Sequence, residues 1–404
     1  MPRSLRIPTD LCERLFGTMV PFYRGDIDGL LEFSGRIDTD RLERAFLAAL
    51  AAEPMWCHRF VEAFWKPYWK FIPREERDAL CEIISCGDDY TPAFAELAQR
   101  PVDAAARLIV FRGPVNDTVC FRVDHRLADG TAARFLIEAV RANFDADVSV
   151  PDHDEPLQRR TIALLHPVLT VAQREENLKF IKDYGQQLEK LPAAFKLPVP
   201  SKSDPAEISP ILRYPEGSLD ELTQRAMRDR CTPQLPIMAA TYLGMRDVVG
   251  IAPGIPVSMT SMVNLRRYLP PKGPPVTASM LIGQVRVRVE EAGTTSMAAV
   301  IDQLRARMME HRGPQLGLKW SPLTVEIPRV LFAMNLVPFK LMKWAVRRKF
   351  HNLKTTPDVG VSDLGEFGKP GECWGDAVLQ NAYCSAGIWG IPSISVCYSA
   401  CGSR

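Results

Sequence analysis

The residues best suited to chemistry in this chain lie together at positions 124–130, Asp-His-Arg-Leu-Ala-Asp-Gly. Of the six histidines (58, 125, 153, 166, 311 and 351), His125 is the one placed at the end of a strand-like run and ahead of a tight turn. A side chain rooted there is held firmly while its tip stays accessible, which is what a general base needs. Asp129 follows four residues later and Gly130 directly after it, giving the pattern His-x-x-x-Asp-Gly. Residue types alone leave two readings open: a proton-accepting base, or a histidine satisfied within an ordinary β-to-α turn. Gly130 suits a place where the chain packs tightly and a Cβ would obstruct it.

Periodicity names the elements that must hold this turn. Arg107 to Phe111 and Thr118 to Val123 read as strands, separated by the turn Gly113-Pro-Val-Asn-Asp117. Thr131 to Asn143, with apolar residues at 132, 135, 136, 139 and 140, reads as a helix. The reactive turn is therefore strand, turn, helix. Upstream, Asp28 to Gly35 contains a short strand, Arg41 to Ala52 a helix opened by Asp38-Thr-Asp40, and Trp56 to Ile72 two strands. A long helical pattern, Leu157 to Leu191, is interrupted at Pro167, and the Pro-rich stretch from Leu197 to Pro205 breaks the chain near its middle.

Beyond that break, Ile208 to Tyr214 looks like a short strand. Ser218 with Glu221 fits a capping box at the head of a helix, Leu219 to Arg230. Leu235 to Val248 and Thr294 to His311 are helical. Ile255 to Val263 is a strand running into Asn264-Leu-Arg-Arg-Tyr-Leu-Pro270, and Met280 to Glu290 alternates at Val285, Val287 and Val289. Asp358 to Gly365 and Ala377 to Ala400 add strand-like sequence. Interspersed strands and helices in both halves predict an α/β (α+β layered) protein of two lobes. The expected division is 1–195, a linker at 196–206, and 207–404.

Composition narrows the function classes. At 404 residues, with 46% hydrophobic and 24% charged residues, the chain has material for two cores without staples. Fifty Lys and Arg against 48 Asp and Glu leave a formal charge of +2, which argues against nucleic acid as a partner. The 10 cysteines are scattered without a C-x-x-C pair or nearby histidines, so neither a metal site nor a disulfide framework is expected. The first sixteen residues lack the apolar core of a signal peptide, and a cytoplasmic location is expected.

The segment Phe121 to Phe135 resembles the active-site motif of the chloramphenicol acetyltransferase-like superfamily, which includes plant acyltransferases, wax-ester synthases, alcohol acyltransferases and condensation domains. Three further segments are similar to that superfamily in the same order: Leu31 to Phe46 with Glu53-Pro54, Val263-Asn-Leu-Arg-Arg-Tyr-Leu-Pro270, and Val361-Ser-Asp-Leu-Gly365. Together they span almost the whole chain. The resemblance implies two lobes, each a mixed sheet flanked by helices, with an active-site channel between them. It implies an acyltransferase that moves an acyl group from a thioester, acyl-CoA or an acyl-carrier protein, to an alcohol or amine. His125 is then the general base, and Asp129 an ion-pair partner of Arg266 from the other lobe, with Arg267 as the neighbour that could be mistaken for it. Gly130 keeps space at the turn or the acyl tunnel. No tightly bound cofactor is implied. The alternatives are a stand-alone condensation protein forming amide bonds and a non-catalytic binding or scaffold member.

The sequence departs from the superfamily pattern at Asp124, where many members carry a first histidine, and at Asp363, where Ser-Asn-Leu-Gly is usual. Relatives also continue beyond the equivalent of Ala400, so the second lobe is expected to be shortened or closed differently. Ser258 and Thr260 are candidate oxyanion donors. The aromatic residues Trp56, Phe60, Phe64, Trp65, Tyr68, Trp69 and Phe71 suit either a pocket lining or core packing. The apolar run 330–339, followed by Lys340, Lys343, Arg347, Arg348 and Lys349, suits a core helix with a solvated basic end. The less favoured alternative is a contact with a membrane surface, coenzyme A phosphates or an acidic carrier protein.

Overall fold

The computed structural model of the chain describes residues 6–19, 25–152, 154, 169–190, 193–195, 197–198, 214–215, 217–252, 255–269, 278–289, 296–311, 316–318, 336–351, 355–356, 358–386 and 395–401. The first half contains β1 (Arg6–Pro8), α1 (Leu11–Met19), β2 (Asp26–Ser34), α2 (Thr39–Ala52), β3 (His58–Val61), β4 (Tyr68–Phe71), β5 (Cys81–Ser85), α3 (Thr91–Gln99), β6 (Ala106–Arg112), β7 (Asp117–Asp124), α4 (Gly130–Asp145) and α5 (Val171–Lys190). There follow β8 (Leu197–Pro198), α6 (Ser218–Arg228), α7 (Gln234–Val249), β9 (Val257–Asn264), β10 (Ile282–Val289), α8 (Met297–Glu310) and α9 (Phe339–His351). The last elements are β11 (Thr355–Thr356), β12 (Asp358–Glu366), β13 (Cys373–Trp374), β14 (Ala377–Ala386) and β15 (Ser395–Ala400).

The first lobe is built on a six-stranded mixed sheet, order β13-β14-β2-β7-β6-β5, antiparallel except for the β5–β6 pair. All eight residues of β7 are buried, because both faces of the sheet are covered. Val119, Phe121 and Val123 pack with Leu42, Phe46 and Leu50 of α2 and Ala133, Leu136 and Val140 of α4. Cys120 points the other way, into a smaller cluster with Phe94 and Leu97 of α3. Each fully buried large apolar side chain contributes about 1.5–3 kcal/mol, so the strand that ends at the reactive turn is firmly anchored. The α2 start is fixed by Asp38, whose carboxylate accepts from Arg41 N at 3.0 Å.

The second lobe is a four-stranded sheet, order β10-β9-β12-β15, antiparallel between β10 and β9 and parallel elsewhere. Its core packs Val257, Met259, Val285, Val287, Val359 and Val361 against α7 and α8. A small antiparallel sheet, β1-β4-β3, belongs to the first half, and β8 pairs with β11 as a two-residue bridge.

Two expectations need correction. The expected lobe 207–404 does not hold together in sequence order: β13 and β14 leave it, and β14 pairs antiparallel with β2 along Val378↔Ser34 to Ala386↔Ile27. Backbone N–H and C=O groups at the β2 edge need partners once buried, and β14 supplies them. Secondly, Ser218 is not the cap of α6. Gly217, at φ 84°, takes that position, and Ser218 is the first helical residue. The strand expected at Ile208–Tyr214 falls largely on residues outside those described, as do most of the linker and the stretch ahead of α5 around Pro167.

Candidate active site

β7 ends at Asp124, and the chain turns through residues 125–128 before α4 starts at Gly130. The Leu127 and Ala128 amides both donate to the Asp124 carbonyl at 3.0 Å, and the His125 amide donates to the Gly25 carbonyl at 2.9 Å. These bonds fix the root of His125. The Asp124 carboxylate, fully buried, accepts from Arg126 through its amide at 2.9 Å, Nε at 2.8 Å and Nη2 at 2.6 Å. The Arg126 guanidinium lies 4.3 Å from the centre of the Phe60 ring. At Asp124, where the sequence departs from the pattern it resembles, the chain therefore has an ion pair that ties the turn to the β3 side of the lobe.

The His125 ring is half-buried, with Nδ1 2.8 Å from the Ala128 carbonyl oxygen. A carbonyl only accepts, so Nδ1 carries the proton and donates. In the neutral ring, Nε2 is then the basic nitrogen. Burial lowers the His125 pKa below its ordinary value, against the opposing pull of the Ala128 bond and of the Asp129 and Asp124 charges. The imidazole is thus neutral near pH 7. Phe16 of α1 packs on it, with ring centroids 5.2 Å apart.

Asp129 is occupied differently. Its Oδ1 accepts from Ala132 N at 2.9 Å, capping α4, and its carboxylate accepts from Arg266 Nη1 at 2.9 and 2.7 Å. Its Oδ2 also accepts from Leu281 N at 2.8 Å. Arg266 in turn donates from Nη2 to the Ser279 carbonyl at 2.6 Å. Both charged side chains are buried, at 3% and 9% exposure, so solvent screens the pair weakly. Arg266 sits in a 3-10 turn, Leu265–Tyr268, capped by Asn264, whose Oδ1 accepts from Arg266 N at 2.9 Å. That turn directs Arg266 at Asp129 and leaves Arg267 exposed, 5.3 Å from the Tyr268 ring.

Gly130 meets β12. A Cβ there would come 2.5 Å from Leu364 Cδ2, so the absent side chain lets the end of β12 lie against the start of α4. Asp363, the second departure from the superfamily pattern, accepts from Gly365 N at 2.9 Å, a local turn that asparagine would make equally well. Ser258 and Thr260 lie on β9, on the face opposite the Val257 and Met259 core, and the Thr260 hydroxyl is buried with no hydrogen-bond partner among the described residues.

His125, Asp129, Gly130 and Arg266 are therefore brought to one junction between the two sheets. Phe16, Asn264, Leu281 and Leu364 belong to the same junction and were not singled out from the sequence. Asn264, placed at a strand end before Leu-Arg-Arg-Tyr, carried a readable capping signal. The aromatic cluster divides: Trp56 and Trp69 are core, while Phe64 and Trp65 are exposed.

No family model and no curated protein sequence matches the chain. Solved structures do. Polyketide synthase associated protein 5 from Mycobacterium tuberculosis is similar at 15% identity and a TM-score of 0.67, over 99% of this chain and 91% of that one. Trichothecene 15-O-acetyltransferase from Fusarium sporotrichioides is similar at 11% identity and a TM-score of 0.68, over 98% and 88%. The first condensation domain of the calcium-dependent antibiotic synthetase is similar at 14% identity and a TM-score of 0.63, over 99% and 88%. The chain thus has the chloramphenicol acetyltransferase-like fold, shared by condensation domains and an acetyltransferase.

Proposed function

We propose that this protein is an acyltransferase that uses His125 as a general base to move an acyl group from a thioester to an alcohol or amine. The observation that carries the reading is the tautomer of His125. With Nδ1 donating to Ala128, Nε2 is left as the basic nitrogen of a ring that burial keeps neutral. Nε2 takes the proton of the acceptor O–H or N–H as that atom bonds to the thioester carbonyl carbon. Collapse of the tetrahedral intermediate breaks the C–S bond, and the imidazolium returns its proton to the departing thiolate. No acyl-enzyme forms. Asp129 and Arg266 hold the turn in place through their ion pair and do not touch the reacting atoms.

Support for the class comes from the shared fold with an acetyltransferase and condensation domains. The fold likeness to condensation domains also favours a second reading, transfer from a carrier-bound donor to an amine. The test is thioester consumption over a panel of acyl donors, offered both as coenzyme A and as carrier-protein thioesters, with product detected by mass spectrometry. Transfer that disappears in His125→Ala supports the reading. Transfer that survives His125→Ala, or no consumption of any donor, overturns it in favour of a binding or scaffold role.

A further inference from the structure

We infer that α9 and the adjoining loop of the small sheet form a docking face for an anionic lipid surface, an inference that stands apart from the reaction proposed above. The face carries six large apolar side chains, Phe64, Trp65, Leu336, Val337, Leu341 and Trp344, each between 39% and 58% exposed and most above half. They form one patch. The Phe339 amide donates to the Trp65 carbonyl at 3.0 Å and the Lys340 amide to the Phe64 carbonyl at 3.2 Å, which joins the loop to the first turn of the helix. Leu341 and Trp344 follow at helical spacing along one side of it, and Leu336 and Val337 directly precede its first turn.

Charge selects the occupant. The sequence of α9 contains Lys340, Lys343, Arg347, Arg348 and Lys349 and no carboxylate. Lys343 pairs with Glu62, and the Arg348 guanidinium lies 5.6 Å from the Trp344 ring centre. Exposed Trp, Phe and Leu flanked by Lys and Arg are the side chains of an interfacial helix: the apolar set enters the acyl boundary while the cations meet phosphate headgroups. An acidic carrier protein would satisfy the cations and leave most of that apolar surface in water, so lipid is the better match. No helix among the described residues is long and apolar enough to cross a membrane, so the contact is with one surface.

The inner side of α9 says how such a contact reaches the site. Phe339, almost fully buried, sits against Gly17 of α1 at 3.1 Å from where a Cβ would lie, and its ring centroid is 6.3 Å from that of Phe60. The residue before Gly17 is Phe16, which packs on His125, and Phe60 carries Arg126. A lipid surface under α9 would therefore lie next to the elements that cover His125.

The test is sedimentation of the full chain with vesicles of phosphatidylcholine alone or with about one third phosphatidylglycerol. The expected result is binding to the anionic vesicles, reduced at least about tenfold on neutral vesicles, with a blue shift of tryptophan emission. Leu341→Glu/Trp344→Glu should reduce binding at least about tenfold, and Lys340→Gln/Arg348→Gln, which leaves the apolar set intact, should reduce it severalfold with an unchanged thermal midpoint. Neither pair should alter turnover of a short soluble thioester, which separates this result from the fate of His125. Absence of binding to anionic vesicles overturns the inference. So does equal binding by both double variants, or capture of an acidic carrier protein by this face with no vesicle binding.

Discussion

His125 and Asp129 stand four residues apart on one turn and are treated in opposite ways. Asp129 accepts from Ala132, Leu281 and, twice, Arg266, so its carboxylate is fully employed in holding α4 and the two sheets together. His125 donates from Nδ1 to the Ala128 carbonyl, and in the neutral ring Nε2 is then the basic nitrogen. The contrast teaches that the carboxylate of this turn is spent on architecture, while the imidazole beside it is oriented by a single backbone carbonyl. It also means that damage at the two positions should look different.

The largest effect is expected at His125. His125→Ala should lower transfer by about 10²–10⁴-fold while the thermal midpoint moves little, read by product formation beside calorimetry. Next comes the buried pair. Asp129→Ala or Arg266→Ala should each cost about 3–5 kcal/mol, because each leaves an uncompensated buried partner. In denaturant titrations the double variant should be much less damaged than the sum of the singles. Arg267→Ala serves as the exposed control, within about 0.5 kcal/mol of the parent. If Arg267→Ala were the costly change, the contrast would fail.

Gly130→Ala should cost about 1–3 kcal/mol through overpacking against Leu364, and Leu364→Ala in the same chain should recover most of it, measured by thermal melts. The mildest effect is that of pH. The native pKa of His125 lies below its unfolded value of roughly 6.5. Below that pH the unfolded chain binds a proton that the native site resists, so stability is unaffected above about pH 6.5 and falls as pH drops towards the native pKa. His125→Gln should flatten this part of the stability profile. In the parent, the acid limb of kcat/KM should fall at a pH lower than an ordinary histidine would give.

The turn itself was legible because its determinants are local. Seven consecutive residues contain the histidine, the cap and the glycine, and a run rich in β-branched and aromatic residues followed by a helical stripe locates the strand and helix around them. Arg266 was legible through the resemblance, but its preference over Arg267 depends on the 3-10 turn capped by Asn264, which local pattern left open. What the sequence concealed is non-local. Leu281 N and the Leu364 side chain reach the motif from more than a hundred residues away, and nothing in the spacing of either segment encodes that approach. The pairing of β14 with β2 is of the same kind, since each strand alternates correctly for several possible neighbours.

That pairing has a consequence for how the protein is made. On the ribosome, β2 and β7 emerge early, yet the partner that closes the β2 edge is not synthesised until residues 377–386. At about 5–20 residues per second the edge waits roughly 20–70 s, exposing a row of unpaired amides and carbonyls beside an apolar sheet. A nascent chain in that state is a natural client for chaperones, and a truncation ahead of β14 would strand it there. Shortened chains should accumulate as insoluble material even when they retain every residue of the His125 turn.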